Sequence, residues 1–190
     1  MFEWIDIKTL LTIAHLFGVA LGVGGAFASD GIFLKSIKDQ RITKTELGFI
    51  VFGSTMVWTG LFLLILSGLG LFLLDPTYYL ASSKFLAKMT IVLILTINGI
   101  IFHISHIPRF LRHVDEFFHS SDEFMRKRWL ILSSGALSLI SWGFALVLGV
   151  FSSVPYSYIT IMAFYIGVLV ISILIALALK KRILPDHRKH

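Results

Sequence analysis

His103 and His106 stand three residues apart where an uninterrupted apolar run meets Pro108, in TINGIIFHISHIPRF (96–110). On an α-helix that spacing puts both imidazoles on one face, near the helix end. With Asp30, near the end of an earlier apolar run, they make a set of two imidazoles and a carboxylate. Such a set can hold a divalent metal or pass protons to a buried site. The plainer reading is interfacial: Asp30 pairs with Lys35 or Arg109, and the histidines face lipid headgroups. A second set consists of His15, Lys88 and Met162, whose side chains are all capable axial ligands for haem iron. Each also has a structural reading. His15 can bond a hydroxyl such as Ser67, Lys88 can snorkel outward or pair with Asp75, and Met162 can fill the core.

What these residues can do depends on the medium. The chain is 56% hydrophobic and 15% charged, with a mean hydropathy of +0.86, a composition that identifies a membrane protein. Apolar runs long enough to cross about 30 Å of hydrocarbon fall at Leu10–Leu34, Gly48–Leu74, Phe85–Ile107, Trp129–Phe151 and Tyr156–Leu179. The expected fold is therefore an all-α bundle of five transmembrane helices in a single domain, 1–190. "AFASD" has the small-x-small pattern of a signal-peptidase site. The segment before it, "MFEWIDIK", is acidic rather than basic and the apolar run continues past Asp30, so the first run reads as a membrane helix. There is no cysteine, which excludes disulfides, thiolate-ligated haem, Cys-type iron–sulfur clusters and Cys-type zinc sites.

Basic residues alternate between the connections. Lys35, Lys38, Arg41 and Lys44 lie in the first; Arg109, Arg112, Arg126, Lys127 and Arg128 in the third; Lys180, Lys181, Arg182, Arg188 and Lys189 in the tail. The second has only Lys84 and Lys88, and the fourth, "SSVPYS", has none. The positive-inside rule then puts the amino terminus outside and the carboxyl terminus in the cytoplasm, within a bacterial inner membrane. The pI near 9.7 reflects anchors beside anionic lipid, so the expected partner is the bilayer and no nucleic acid is expected. Between the third and fourth spans, residues 108–128 read as an interfacial amphipathic helix carrying Phe110, Val114, Phe117 and Phe118. A capping box from Ser120 to Glu123 then starts the fourth span.

Small residues mark where helices meet in lipid. Gly18, Gly22 and Ala26 form such a stripe on the first span, and Ser134, Ser138, Ala145 and Gly149 a looser one on the fourth, which puts these two spans at the bundle centre. The second span adds Gly60, Ser67, Gly68 and Gly70. The fifth has few small residues and reads as peripheral. Depth, at about 1.5 Å per residue, separates His15 from His103 by roughly 18 Å, so one metal cannot bridge them.

"IAHLFGVALGVGGAFASDGIF" and "KFLAKMTIVLILTINGIIFH" together resemble small bacterial membrane proteins related to HemJ-type protoporphyrinogen oxidases and copper-resistance-D-like proteins. Those families are similar in placing a histidine in the first helix and a lysine that opens a later helix ending in histidine. The resemblance covers about the first 110 residues, at His15, Lys88 and His103. It implies a bundle that handles haem b or porphyrin, with a membrane oxidoreductase as the expected activity class. The fifth span and the segment at 108–128 depart from the shorter four-helix unit of the HemJ type. Three functions follow as expectations. The first is electron transfer through a b-type haem on His15, with Lys88 as second ligand or propionate partner and a quinone or other membrane redox subunit as partner. The second is transport of protons or a divalent metal along Asp30, Asn98, His103 and His106. The third is a non-catalytic subunit of a larger complex.

Overall fold

The structure, a computed structural model, describes residues 6–118 and 121–179. Its helices are α1 (Ile7–Asp39), α2 (Lys44–Leu74), α3 (Pro76–Leu80), α4 (Ser83–Ile101), α5 (Ile107–Arg112), α6 (Asp122–Val150) and α7 (Tyr158–Ala178), with a π turn at Phe102–His106 joining α4 to α5. Five stretches of the described residues are long and apolar enough to cross a membrane: α1, α2, the continuous α4–α5 rod, α6 and α7. The described chain is thus an all-α, multi-pass membrane protein. Its large apolar side chains on the outer faces, Phe52, Phe62, Leu93 and Phe164 among them, contact lipid.

Most of the helices outrun their apolar cores because polar residues cap them. Thr43 starts α2 with a full capping box. Its hydroxyl accepts the Glu46 N–H at 3.2 Å, and the Glu46 carboxylate accepts the Thr43 N–H at 3.1 Å. Asp6 plays a simpler part ahead of α1, accepting the Thr9 N–H at 2.7 Å; those Thr9 bonds hold its carboxyl below the ordinary value. The cap expected at Ser120 falls outside the described residues. Ser121 is the residue that caps α6, accepting the Phe124 N–H at 3.2 Å.

α1 and α2 form the most extensive helix pair, and glycine makes it so. A Cβ on Gly60 would lie 2.5 Å from the Gly22 nitrogen and 2.7 Å from the Gly18 oxygen, and one on Gly25 would lie 2.6 Å from the Gly53 oxygen. The two backbones are in direct contact, and the expected stripe on the first span is one side of that seam. Gly22 also receives α6, whose Trp142 ring tip occupies the place of its missing Cβ. α6 packs on α1, α4 and α7, the central position expected for it. α7 buries Ile161, Met162 and Tyr165, all in its first half, and Tyr165 bonds Ser141 of α6 across 2.8 Å.

The segment after Pro108 differs from the expected flat helix. Helix continues only to Arg112: His113 leaves helical geometry at φ −119°, and Asp115, at a left-handed φ of 64°, turns the chain. The chain then pairs with the α1–α2 connection: the Asp115 N–H donates to the Ile42 oxygen and the Phe118 N–H to the Gln40 oxygen, each at 2.8 Å. Phe110 and Phe118 are buried with Phe124, Ile42 and Ile50 rather than laid on lipid, and only Phe117 keeps an exposed ring beside Arg41. The basic connections therefore come together at one end of the bundle. At the other end, Lys84 donates to the Phe151 and Ser152 oxygens at 2.6 and 3.0 Å, a cation on the carboxyl end of α6. The basic tail from Lys180 onward lies outside the described residues.

Glu123 pins this end. It accepts from Arg109 at 3.3 Å, Arg112 at 2.6 Å and His113 at 3.3 Å, and the Arg109 side chain is only 6% exposed. Glu123→Ala leaves that buried guanidinium without its acid partner, which costs about 1–3 kcal/mol. Hydrogen exchange at the Asp115 and Phe118 amides should accelerate accordingly, and unchanged protection there would refute the pinning.

Candidate functional site

At the end where the basic connections meet, a cavity of about 220 Å³ opens between α1, α2, α4 and α6. Its walls come from the carboxyl ends of α1 and α4, the amino-terminal half of α2, the first two-thirds of α6 and Ala176 of α7. Five aromatic rings face it: Phe33, Trp58, Phe102, Phe110 and Trp142. Among the described residues lining it, Asp30 is the one ionisable side chain.

Asp30 sits at the lower wall of this cavity opposite Gly135. A Cβ there would lie 3.8 Å from Oδ1, so α6 presents bare backbone to the carboxylate. Oδ2 is sealed from solvent and has no hydrogen-bond partner. The expected ion pairs do not form: Lys35 goes to Glu46 at 3.6 Å and Arg109 to Glu123. A neighbouring polar pair is already satisfied. The Asn98 amide donates to the Ser134 backbone oxygen at 3.2 Å, and the Ser134 hydroxyl donates back to Asn98 Oδ1 at 2.8 Å. Ser29, one residue before Asp30, spends its proton on the Gly25 oxygen at 2.8 Å.

His103 and His106 do not share a face. Pro108 cannot donate to the helical ladder, and the turn before it opens from α to π geometry. The wider turn rotates the two imidazoles apart, so His103 is exposed and His106 is 1% exposed. Arginine only donates, so the 3.2 Å contact from Arg109 Nη1 to His106 Nδ1 makes Nδ1 an acceptor and assigns the imidazole proton to Nε2. That N–H is buried and lacks a partner. His106 packs edge-on to Phe102 at 5.6 Å, directly behind the cavity wall. π turns concentrate at functional sites, and orphaned buried polar atoms are rare enough to need a reason. Here an orphan acceptor belongs to a side chain that lines the cavity, and an orphan donor stands behind one of its walls. Among the described residues no three His, Asp or Glu side chains converge on a metal-sized point.

The other set lies toward the opposite end. His15 Nδ1 is 3.0 Å from Ser67 Oγ, the hydroxyl named for it from sequence. Ser67 donates its own proton to the Leu63 oxygen, so it accepts from Nδ1–H and leaves the Nε2 lone pair available. Lys88 is within charge range of that ring. Met162 is buried in the core with Ala87, Ile91 and Tyr165. As a test of haem, one imidazole with its Nδ1 proton held is the arrangement an axial ligand needs. Room is the harder requirement: the cavity reaches none of the three residues, and the Gly68 backbone lies against the ring, where a Cβ would meet His15 Cε1 at 3.5 Å. The donor fits one axial position, while the α1–α2 seam leaves no width for a macrocycle between those two helices.

No protein-family model, curated protein or solved structure matches this chain. Its function is therefore read from its own geometry.

The sequence singled out Asp30, Asn98 and His106 but gave no hint of Trp58 and Trp142 as cavity walls. Apolar residues facing lipid and apolar residues facing an interior space have the same composition. One signal did exist: Gly99 and Gly22 lie under Trp58 and Trp142, and small residues at these positions mark where a large ring must fit.

Proposed function

We propose that this protein is a proton-handling component of a membrane transport system, with Asp30 as the proton-binding group and the cavity as its chamber. The observation that carries this reading is the sealed, unpartnered Asp30 Oδ2 on a side chain that lines an apolar cavity. An isolated carboxylate is expensive there, so it is driven to hold a proton or a cation and to release it only when the surroundings change. His106, through its Nε2–H, is the donor on the side of Arg109 and Glu123, and it relays protons between the basic end and the cavity. By the positive-inside rule that end faces the cytoplasm of a bacterial inner membrane. Reporter fusions should therefore read cytoplasm at Asp39 and after His190, and periplasm at Ser153. Inverted readings at two of these positions would reverse the direction of the path.

Proteoliposomes test the function itself. An imposed inside-negative potential should acidify an entrapped pH dye faster in vesicles holding the protein than in empty ones. Equal rates would end this reading.

A second reading has one observation in its favour, the tautomer of His15. There the chain takes a b-type haem at His15 Nε2 on the outer flank of α1, with Lys88 as second ligand or propionate partner, as the HemJ-like resemblance implies. Bound haem would supply one-electron chemistry, and His15 and Lys88 would hold and orient it. The purified protein, supplied with haem, should then show a Soret band that His15→Ala abolishes while the helical circular dichroism persists. A colourless wild-type protein would eliminate this reading.

A further inference from the structure

We propose that the cavity is a binding site for a small organic monocation, an aromatic or alkyl ammonium, that exchanges with a proton on Asp30. The inference rests on the proton-handling reading and names what the proton is exchanged for.

Three features select this class. First, the ligand must neutralise Asp30, which faces the cavity as its one ionisable lining group among the described residues; a neutral molecule leaves the buried carboxylate uncompensated. Second, the ligand must be indifferent to a coordination shell. A hard inorganic cation wants about six oxygens. The cavity offers the Asp30 carboxylate, while Asn98 and Ser134 already satisfy each other and Ser29 is committed to Gly25. Third, the walls are rings. Phe33, Trp58, Phe102, Phe110 and Trp142 present π faces and edges, and a desolvated organic ammonium is attracted to such faces, to tryptophan most of all. The size agrees: about 220 Å³ is the space of roughly seven waters, which suits a cation of about ten non-hydrogen atoms and falls short of drug-sized pockets.

The exchange balances without another reactant. The protonated Asp30 carboxyl and the incoming cation give the carboxylate–cation pair and one free proton. The site's charge is the same before and after, so neither state leaves a net charge buried in the bilayer. The N–H of His106, behind Phe102, stands where the released proton leaves toward the basic end.

The test uses the full chain in nanodiscs with two probes of nearly equal shape, benzyltrimethylammonium and its uncharged isostere neopentylbenzene. Binding is followed by tryptophan fluorescence, with Trp58→Phe identifying the responding ring. The cation should bind at least about tenfold more tightly than the isostere, and its apparent affinity should fall as pH is lowered while that of the isostere stays flat. Asp30→Asn keeps the shape and removes the charge, so it should abolish the pH dependence and cut the cation's advantage to what the rings alone supply. Equal binding of both probes to the wild type, no saturable cation binding, or cation binding indifferent to pH would each overturn the proposal. The pH dependence of the wild type needs no variant to fold. Proton flux without cation binding would sink this inference and leave the proton-handling function standing, and cation binding without proton flux would sink the proton-handling function together with the exchange that rests on it.

Discussion

Asp30→Asn is expected to reduce proton flux in proteoliposomes to the rate of empty vesicles, with the bundle intact. The amide occupies the same volume opposite Gly135 and removes a carboxylate whose Oδ2 has no partner. The fold therefore loses no hydrogen bond from that oxygen and is relieved of the cost of a buried charge. What it loses is the group that takes up and gives back a proton. His106→Gln provides the comparison: an amide can hydrogen-bond but cannot carry a proton through, so flux should fall by about tenfold or more while residual passage through cavity water continues. Full flux in Asp30→Asn would remove the carboxylate from the mechanism, and full flux in His106→Gln would remove only the relay.

The largest structural effect is expected at the α1–α2 seam. Gly60→Leu puts a branched side chain where even a Cβ lies within 2.8 Å of three Gly18 and Gly22 backbone atoms. Backbone cannot swing aside as a side chain does, so the helices must separate, and overpacking of this kind costs about 3 kcal/mol or more. Gly24→Ala, on the partner helix α1, is the contrasting case. Nothing lies within 4 Å of its Cβ position, and the change should be neutral or stabilise by up to about 1 kcal/mol through helix propensity. Denaturant titration of the two variants in micelles should separate them clearly; equal midpoints would show that the seam is looser than its geometry.

How far the sequence revealed this architecture differed from residue to residue. The five spans were legible because nothing but a membrane helix needs twenty apolar residues in a row, and the helix ends overran those runs wherever a cap such as Thr43 or Ser121 stood in polar sequence. Gly18, Gly22 and Ala26 announced the seam, since close backbone approach admits few other residues. The Ser67 partner of His15 was foreseeable from depth alone. The pairing of His103 with His106 failed because it assumed an unbroken α-helix, although Pro108 two residues on was the warning. The flat interfacial helix failed for a related reason. Periodicity in Phe110, Phe117 and Phe118 cannot tell lipid from a neighbouring loop: Phe110 is buried from α5, and beyond the left-handed Asp115 the chain buries Phe118 and leaves Phe117 exposed.

The π turn at Phe102–His106 has a consequence for how insertions and deletions act in this chain. A π turn is an α-helix with one residue too many, accommodated without breaking the rod. Deleting Ile104, which faces outward, would let the stretch relax to regular α geometry. In any other part of α4 the same deletion would turn the following residues by about 100° and misalign the packed face. Here the relaxing turn would absorb the loss, so Arg109 and Arg112 would keep facing Glu123. The membrane rod would shorten by one residue while its basic end kept its phase. A single codon lost at this point would therefore be tolerated, where the same loss elsewhere in the rod would unfasten the end of the bundle beside the cavity.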